Sequence, residues 1–218
     1  MSIDRFFLCL LVVSLAPGCR QDRTSVGATG EPDIIVVAPQ AGETGKFSAL
    51  NSEQPQILVL GSTFSIARGL SPERGYAALL QQRLAAGGSL FIVLNASVAG
   101  ETAAGALERL PYLLPSTLKK VVLELGQADE VLPNPPRAFS RDVKRLIRHI
   151  RARQPGLPIL LLASSRTAAY YKPLATAAEE FDGVTLVALF GDTAGPARSD
   201  DATLHQKIAE QLFPLLEK

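Results

Sequence analysis

Histidine and cysteine are scarce in this chain, with two of each in 218 residues. That scarcity removes much chemistry at once. Cys9 sits inside an apolar stretch near the start, so Cys19 is the one cysteine beyond it and an internal disulfide has no second partner. Asp192, Asp200, Asp201 and His205 are scattered acids with one imidazole, without the ligand spacing of a metal site. No phosphate-cradling Gly-rich loop is present, and neither metal nor cofactor is expected. Charge of one sign is not in excess: 22 Lys and Arg oppose 21 Asp and Glu, for a net charge of +1. Nothing in that balance points to nucleic acid. Internal repeats are absent as well, and the apolar stretch Phe6 to Leu15 is too short to span a bilayer.

What is present begins with a targeting segment, residues 1–19. Arg5 supplies a positive start, the apolar stretch follows, and Ala16-Pro17-Gly18-Cys19 ends it with small residues before a cysteine. The pattern resembles a bacterial lipobox, in which the cysteine becomes the lipid-bearing first residue of the mature protein. An ordinary secretory signal or a retained anchor is the alternative. The lipobox reading implies a bacterial envelope protein held to a membrane through Cys19. Arg20 after the cysteine favours the outer membrane if the cell is Gram-negative. Residues 20–54 are rich in Gly, Pro, Ser, Thr and Glu and read as a flexible tether. Within them Asp33 to Ala38 is strand-like, either an edge strand or a segment packed on the domain.

From residue 55 to 218 short apolar runs alternate with longer amphipathic ones, enough for one domain with a sizeable core. Strands are expected at Ile57–Leu60, Leu90–Leu94, Lys120–Leu125, Pro158–Ala163 and Val184–Leu189. Helices are expected near 73–86, 102–114, 137–154, 168–181 and 202–217. Strands apolar throughout and separated by helices give an α/β fold, a doubly wound parallel sheet of about five strands covered on both faces. In helix 137–154, Phe139, Val143, Leu146, Ile147 and Ile150 fall on one face, and Arg141, Lys144, Arg145, Arg148, Arg151 and Arg153 on the other. That basic face is either merely solvated or attracted to anionic lipid. Ligands of such sheets sit beyond the carboxyl ends of the strands. Ser62-Thr63, Asn95 to Gly100 and Gly126 to Asp129 all fall there.

Gly61-Ser62-Thr63-Phe64-Ser65 follows directly on the first apolar strand, where a hydrolytic α/β enzyme would hold its nucleophile. With Asn95-Ala96-Ser97-Val98-Ala99-Gly100-Glu101-Thr102, Ala106 to Pro111, Val122 to Asp129 and the stretch Asp201 to His205, it resembles the SGNH (GDSL) ester hydrolases. The likeness is nearest to the bacterial periplasmic thioesterase/lysophospholipase branch and runs from about Gln56 to the C-terminus. It implies the flavodoxin-like three-layer fold of that family. It also implies that Thr63 stands at the nucleophilic serine, Ser62 at the preceding aspartate, and Gly100 at the backbone donor of the oxyanion hole. Ala128 stands at the asparagine donor and His205 at the general base. The family's aspartate lies three residues before its histidine. Here that position is Ala202, and Asp201 lies four before; it can serve only if 200–205 is helical.

Threonine keeps a hydroxyl, but its Cβ methyl restricts χ1 and crowds the line of attack. Ala128 offers no side-chain donor, and losing one such donor elsewhere costs on the order of 10²–10³ in turnover. Each residue also has a plain alternative. Thr63 is a strand-end turn threonine, His205 a helix-start histidine, Gly100 a turn glycine, and Asp129 one of two adjacent acids pointing apart. His149 lies in the basic helix, which leaves His205 as the base. Ser62, Ser65, Ser164 and Ser165 are further hydroxyls near the cleft, and Gln127 is an amide near the lost asparagine. Two functions stand. One is slow acyl-ester, thioester or lysophospholipid hydrolysis through Thr63 and His205, with Ser62, Gln127, Ala128 and Asp129 contacting substrate. The other is an inactive relative that binds a lipid, glycan or protein partner in the cell envelope.

Overall fold

Alternate residues of the first long strand face opposite sides of a sheet, and both sides are apolar. In β2 (Gln56–Leu60), Leu58 and Leu60 join one core and Ile57 and Val59 the other. A strand that must be buried on both faces needs a helical layer on each. The computed structural model of the chain describes residues 35–36, 53–132, 134–165, 167–189 and 198–217. The targeting segment, Cys19 and nearly all of the tether lie outside the described residues.

The described strands are β1 (Ile35–Val36), β2, β3 (Ile92–Asn95), β4 (Leu118–Leu125), β5 (Ile159–Ala163) and β6 (Val184–Ala188), in the order β1-β3-β2-β4-β5-β6. β2 to β6 pair in parallel, with Leu58 opposite Leu94 on one side and Val121 on the other. The strand order reverses between β2 and β4, which sets a crevice beyond their carboxyl ends. The strand-like tether segment contributes a short antiparallel edge, Ile35 opposite Asn95 and Val36 opposite Leu94.

Helices α1 (Tyr76–Ala86) and α6 (Ala202–Leu216) cover one face with Tyr76, Leu80, Leu84, Ile208 and Leu212. The other face is covered by α2 (Ala103–Arg109), α4 (Pro136–Arg153) and α5 (Ala168–Glu180). In α4 the buried Phe139, Val143, Leu146, Ile147 and Ile150 fall at helical spacing, the same five the sequence pattern selects. A short α3 (Gln127–Val131), which periodicity does not reveal, follows β4 directly. Two devices fix the opposite end of the sheet. Gln81 accepts from the Val93 N–H and donates to the Phe91 carbonyl, tying α1 to the β3 strand. Lys120 donates to the Leu215 and Leu216 carbonyls, neutralising free groups at the end of α6. Among the described residues no helix is long and apolar enough to cross a membrane.

Candidate active-site cleft

The turn after β2 is held from below by a buried carboxylate. Glu124, fully buried in β4, accepts the N–H groups of Ser62 (2.8 Å) and Ser65 (3.2 Å) on one oxygen. Gly61 is required there by space, because a Cβ would meet the Ser65 hydroxyl at 2.6 Å and the Glu124 Cβ at 2.7 Å. The other Glu124 oxygen has no partner among the described residues. Burial raises the Glu124 carboxyl above its ordinary range, opposed by these hydrogen bonds. The Ser65 hydroxyl in turn pairs with the Tyr76 hydroxyl at 2.7 Å in the core. A glutamate inside the otherwise apolar run Val122-Leu123-Glu124-Leu125 was the sequence signal for this network, since unpaired acids are almost never buried.

Thr63 stands above that platform, and Gly100 reaches it from the loop after β3. The Gly100 N–H donates to the Thr63 hydroxyl oxygen at 3.3 Å. Gly100 has φ +73, in the left-handed region that glycine enters at no steric cost. Thr63 and Gly100 are thus brought together. Ser62 lies beneath them, only 3% exposed. Gln127 and Ala128 open α3 beside the cleft. The Gln127 N–H bonds the Ser164 hydroxyl, and Ala128 presents a methyl where the resemblance implies an amide. The neighbouring serines are committed elsewhere: Ser164 donates to the Leu125 carbonyl and Ser165 to Glu130.

Asp129 is not a substrate contact. It is fully buried, accepts the Ala103 N–H through both oxygens (3.0 and 3.2 Å) and takes a bond from Asn134. It holds the start of α2 against α3, and burial is the largest influence on its raised pKa.

His205 is placed differently from the expectation. It is fully buried in the fourth position of α6, with its ring stacked at 4.5 Å on Phe64 and 6.0 Å on Tyr76. Its Nδ1 accepts the Tyr76 N–H at 3.1 Å, which puts the proton on Nε2, and Nε2 lies 2.9 Å from the Ser199 carbonyl. Both nitrogens are therefore occupied by backbone. Among the described residues no hydrogen bond joins His205 to Thr63. Burial holds its pKa below the usual histidine range. A general base needs a free nitrogen within reach of the nucleophile, and this imidazole has none.

Asp201 is corrected with it. Residue 201 is the N-cap of α6, and its carboxylate accepts the Thr203 and Leu204 N–H groups at 3.0 and 3.2 Å. It cannot orient an imidazole whose Nδ1 carries no proton to donate. A different stretch has the spacing that the resemblance implies: Asp192 stands three residues before Gly195, with glycine in the histidine's place. These two residues lie outside the described ones. Among the described residues no group of three or more His, Cys, Asp and Glu is placed to hold a metal ion.

Comparison with known proteins agrees with this architecture. Residues 64–209 match the GDSL-like lipase/acylhydrolase family. The chain is 40% identical over 107 residues to esterase TesA of Pseudomonas aeruginosa, covering 49% of this chain and 52% of that protein. It is 31% identical over 105 residues to an arylesterase of Vibrio mimicus, covering 48% and 52%. The chain thus spans about half the length of the curated relatives it matches. A crystal structure of TesA superposes with TM-score 0.63 and 30% identity, covering 74% of this chain and 97% of that one. Esterase EstA from Pseudoalteromonas sp. superposes at TM-score 0.60 and 23% identity, over 75% and 99%, a likeness of fold alone.

Proposed function

Because the chain belongs to the GDSL-like lipase/acylhydrolase family, we propose that it keeps that family's scaffold and cleft while no longer hydrolysing esters. In this reading it is a non-catalytic binding protein of the cell envelope. The observation that carries it is the engagement of both His205 nitrogens by backbone. Thr63 then has no base to take its proton. The missing donor at Ala128 and the glycine at 195 point the same way.

The ligand would be an acyl ester or lipid. Val98, whose N–H bonds the Gly61 carbonyl, is 39% exposed in the loop after β3, and Val131 and Leu132 at the end of α3 are 78% and 44% exposed. Exposed apolar side chains of this kind would suit an acyl chain bound near the polar Thr63–Gly100 pair. The lipobox-like Ala16-Pro17-Gly18-Cys19 supports attachment to a membrane through an acylated Cys19, with the domain in the periplasm or outside the cell. Slow Thr63-based hydrolysis is the second reading, favoured by the 3.3 Å approach of the Gly100 N–H.

Hydrolysis of a short-to-medium p-nitrophenyl ester series separates the two. The wild type and Thr63→Ser/Ala128→Asn are expected to stay at background, because restoring nucleophile and donor does not restore a base. Adding Gly195→His is expected to produce turnover. Wild-type turnover abolished by Thr63→Ala and by His205→Ala, with folding intact, would overturn the proposal.

A further inference from the structure

The outer face of α4 is unlike the rest of the molecule. Its 18 residues carry six arginines and one lysine against a single acid, Asp142, whose side chain is only 3% exposed. The helix has a net charge of +6 in a chain of net charge +1, so everything else sums to −5. Arg141, Arg145 and Arg148 have side chains 63, 59 and 60% exposed. Local acids do not neutralise the face. Asp142 is shared by Arg141 and Arg145, the latter at 3.8 Å, and Glu180 is shared by Lys144 and Arg148. Arg145, Arg148, His149, Ala152 and Arg153 line an open recess of about 290 Å³. Their spacing of three, four and eight residues keeps them on one stripe of the helix.

Position gives the stripe its meaning. Gln154, directly after α4, donates to the Pro115 carbonyl at 2.7 Å, while the Gln56 N–H bonds the Thr117 carbonyl at 3.0 Å. The tail of α4 therefore lies at the end of the sheet where the chain enters β2. Thr63, Gly100 and Gln127 lie at the other end of the parallel strands, roughly 16 Å away for five residues at ~3.3 Å each.

We propose that the Arg145–Arg148–Arg153 face of α4 docks on anionic lipid headgroups and turns the cleft away from the bilayer. The guanidinium forks match phosphate oxygens, and a flat array of them suits a lipid surface. Substrate or ligand then reaches the cleft from the aqueous side. The inference does not depend on whether the cleft turns its ligand over.

The test uses residues 20–218, so that neither an acyl group on Cys19 nor the apolar stretch Phe6 to Leu15 contributes. Sedimentation with phosphatidylcholine vesicles is compared with vesicles that also contain phosphatidylglycerol. Binding is expected only with the anionic lipid, and is expected to fall steeply with added salt. Arg145→Gln/Arg148→Gln/Arg153→Gln should weaken it by about tenfold or more. A matched loss of charge elsewhere, Arg68→Gln/Arg74→Gln/Arg83→Gln, should leave it within about twofold. Melting curves confirm that both triple variants fold. Absent binding, equal binding to both vesicle types, or equal losses in both triple variants would overturn the proposal. Capture by a soluble polyanion such as heparin without vesicle binding would overturn it too, and assign the face to a different partner.

Discussion

His205 and Glu124 are buried titratable groups with opposite linkage to pH. The folded-state pKa of His205 lies below its ordinary 6.5, so the unfolded chain binds the extra proton first. Stability from the neutral ring is complete above about pH 6.5 and is lost as pH falls from there through the folded pKa. Glu124 is raised above 4.5, so its protonated form is favoured in the fold. That contribution is complete below about pH 4.5 and is lost as pH rises through the folded pKa. Urea denaturation of Glu124→Gln across pH 4 to 8 should therefore show a shallower decline at the upper end than the wild type. An unchanged pH profile would mean that Glu124 is charged in the fold. His205→Ala leaves the Tyr76 N–H without a partner and opens a cavity against Phe64, and is expected to cost about 3 kcal/mol. A catalytic base at an open cleft would lose activity at little cost in stability, so a denaturation midpoint near wild type would contradict the core role.

At the scale of elements, the ends of helices consume the acids that a sequence reading offers to catalysis. Asp201 caps α6, and Asp129 accepts the Ala103 N–H at the start of α2, whose own N-cap is Thr102; these are backbone N–H groups that a helix leaves free. Asp201→Ala should cost about 1 kcal/mol, and Asp201→Asn much less, because asparagine is as good a cap as aspartate. Thermal melts of the pair check this; equal losses in both variants would show that charge rather than capping matters. Asp129→Ala, which also strips Asn134 of its acceptor, should cost about 2 kcal/mol. None of this was visible in residue spacing. Asp201 and His205 are four apart in sequence, yet capping turns the first toward backbone while the helix carries the second into the core. The amphipathic face of α4, by contrast, was legible at once, since one periodicity decides it.

For the whole molecule, the proposed loss of an activated nucleophile has a single global readout. A fluorophosphonate probe phosphonylates serine or threonine hydroxyls only where a base and an oxyanion hole raise their reactivity. The intact mass of this protein is expected to remain unchanged after incubation with such a probe. An adduct that disappears in Thr63→Ala would instead establish a working threonine nucleophile. The order of the parallel strands and the longer helices, the doubly wound sheet and the mouth of the cleft were determined by the sequence itself, whereas the short α3 was not and the Gly100 approach was only implied by the family resemblance. The former follow from local apolar runs and from glycines at turns, where short-range sterics and periodicity suffice. Only the tertiary structure decided which chemistry those residues retain. Whether a histidine is a base depends on what occupies its two nitrogens. Here Tyr76 and Ser199 occupy them, from 129 and 6 residues away. The reach of Glu124 across 62 residues to the Ser62 N–H is of the same kind. Such contacts arise when two helices and a strand pack together, and no local pattern in the chain records them.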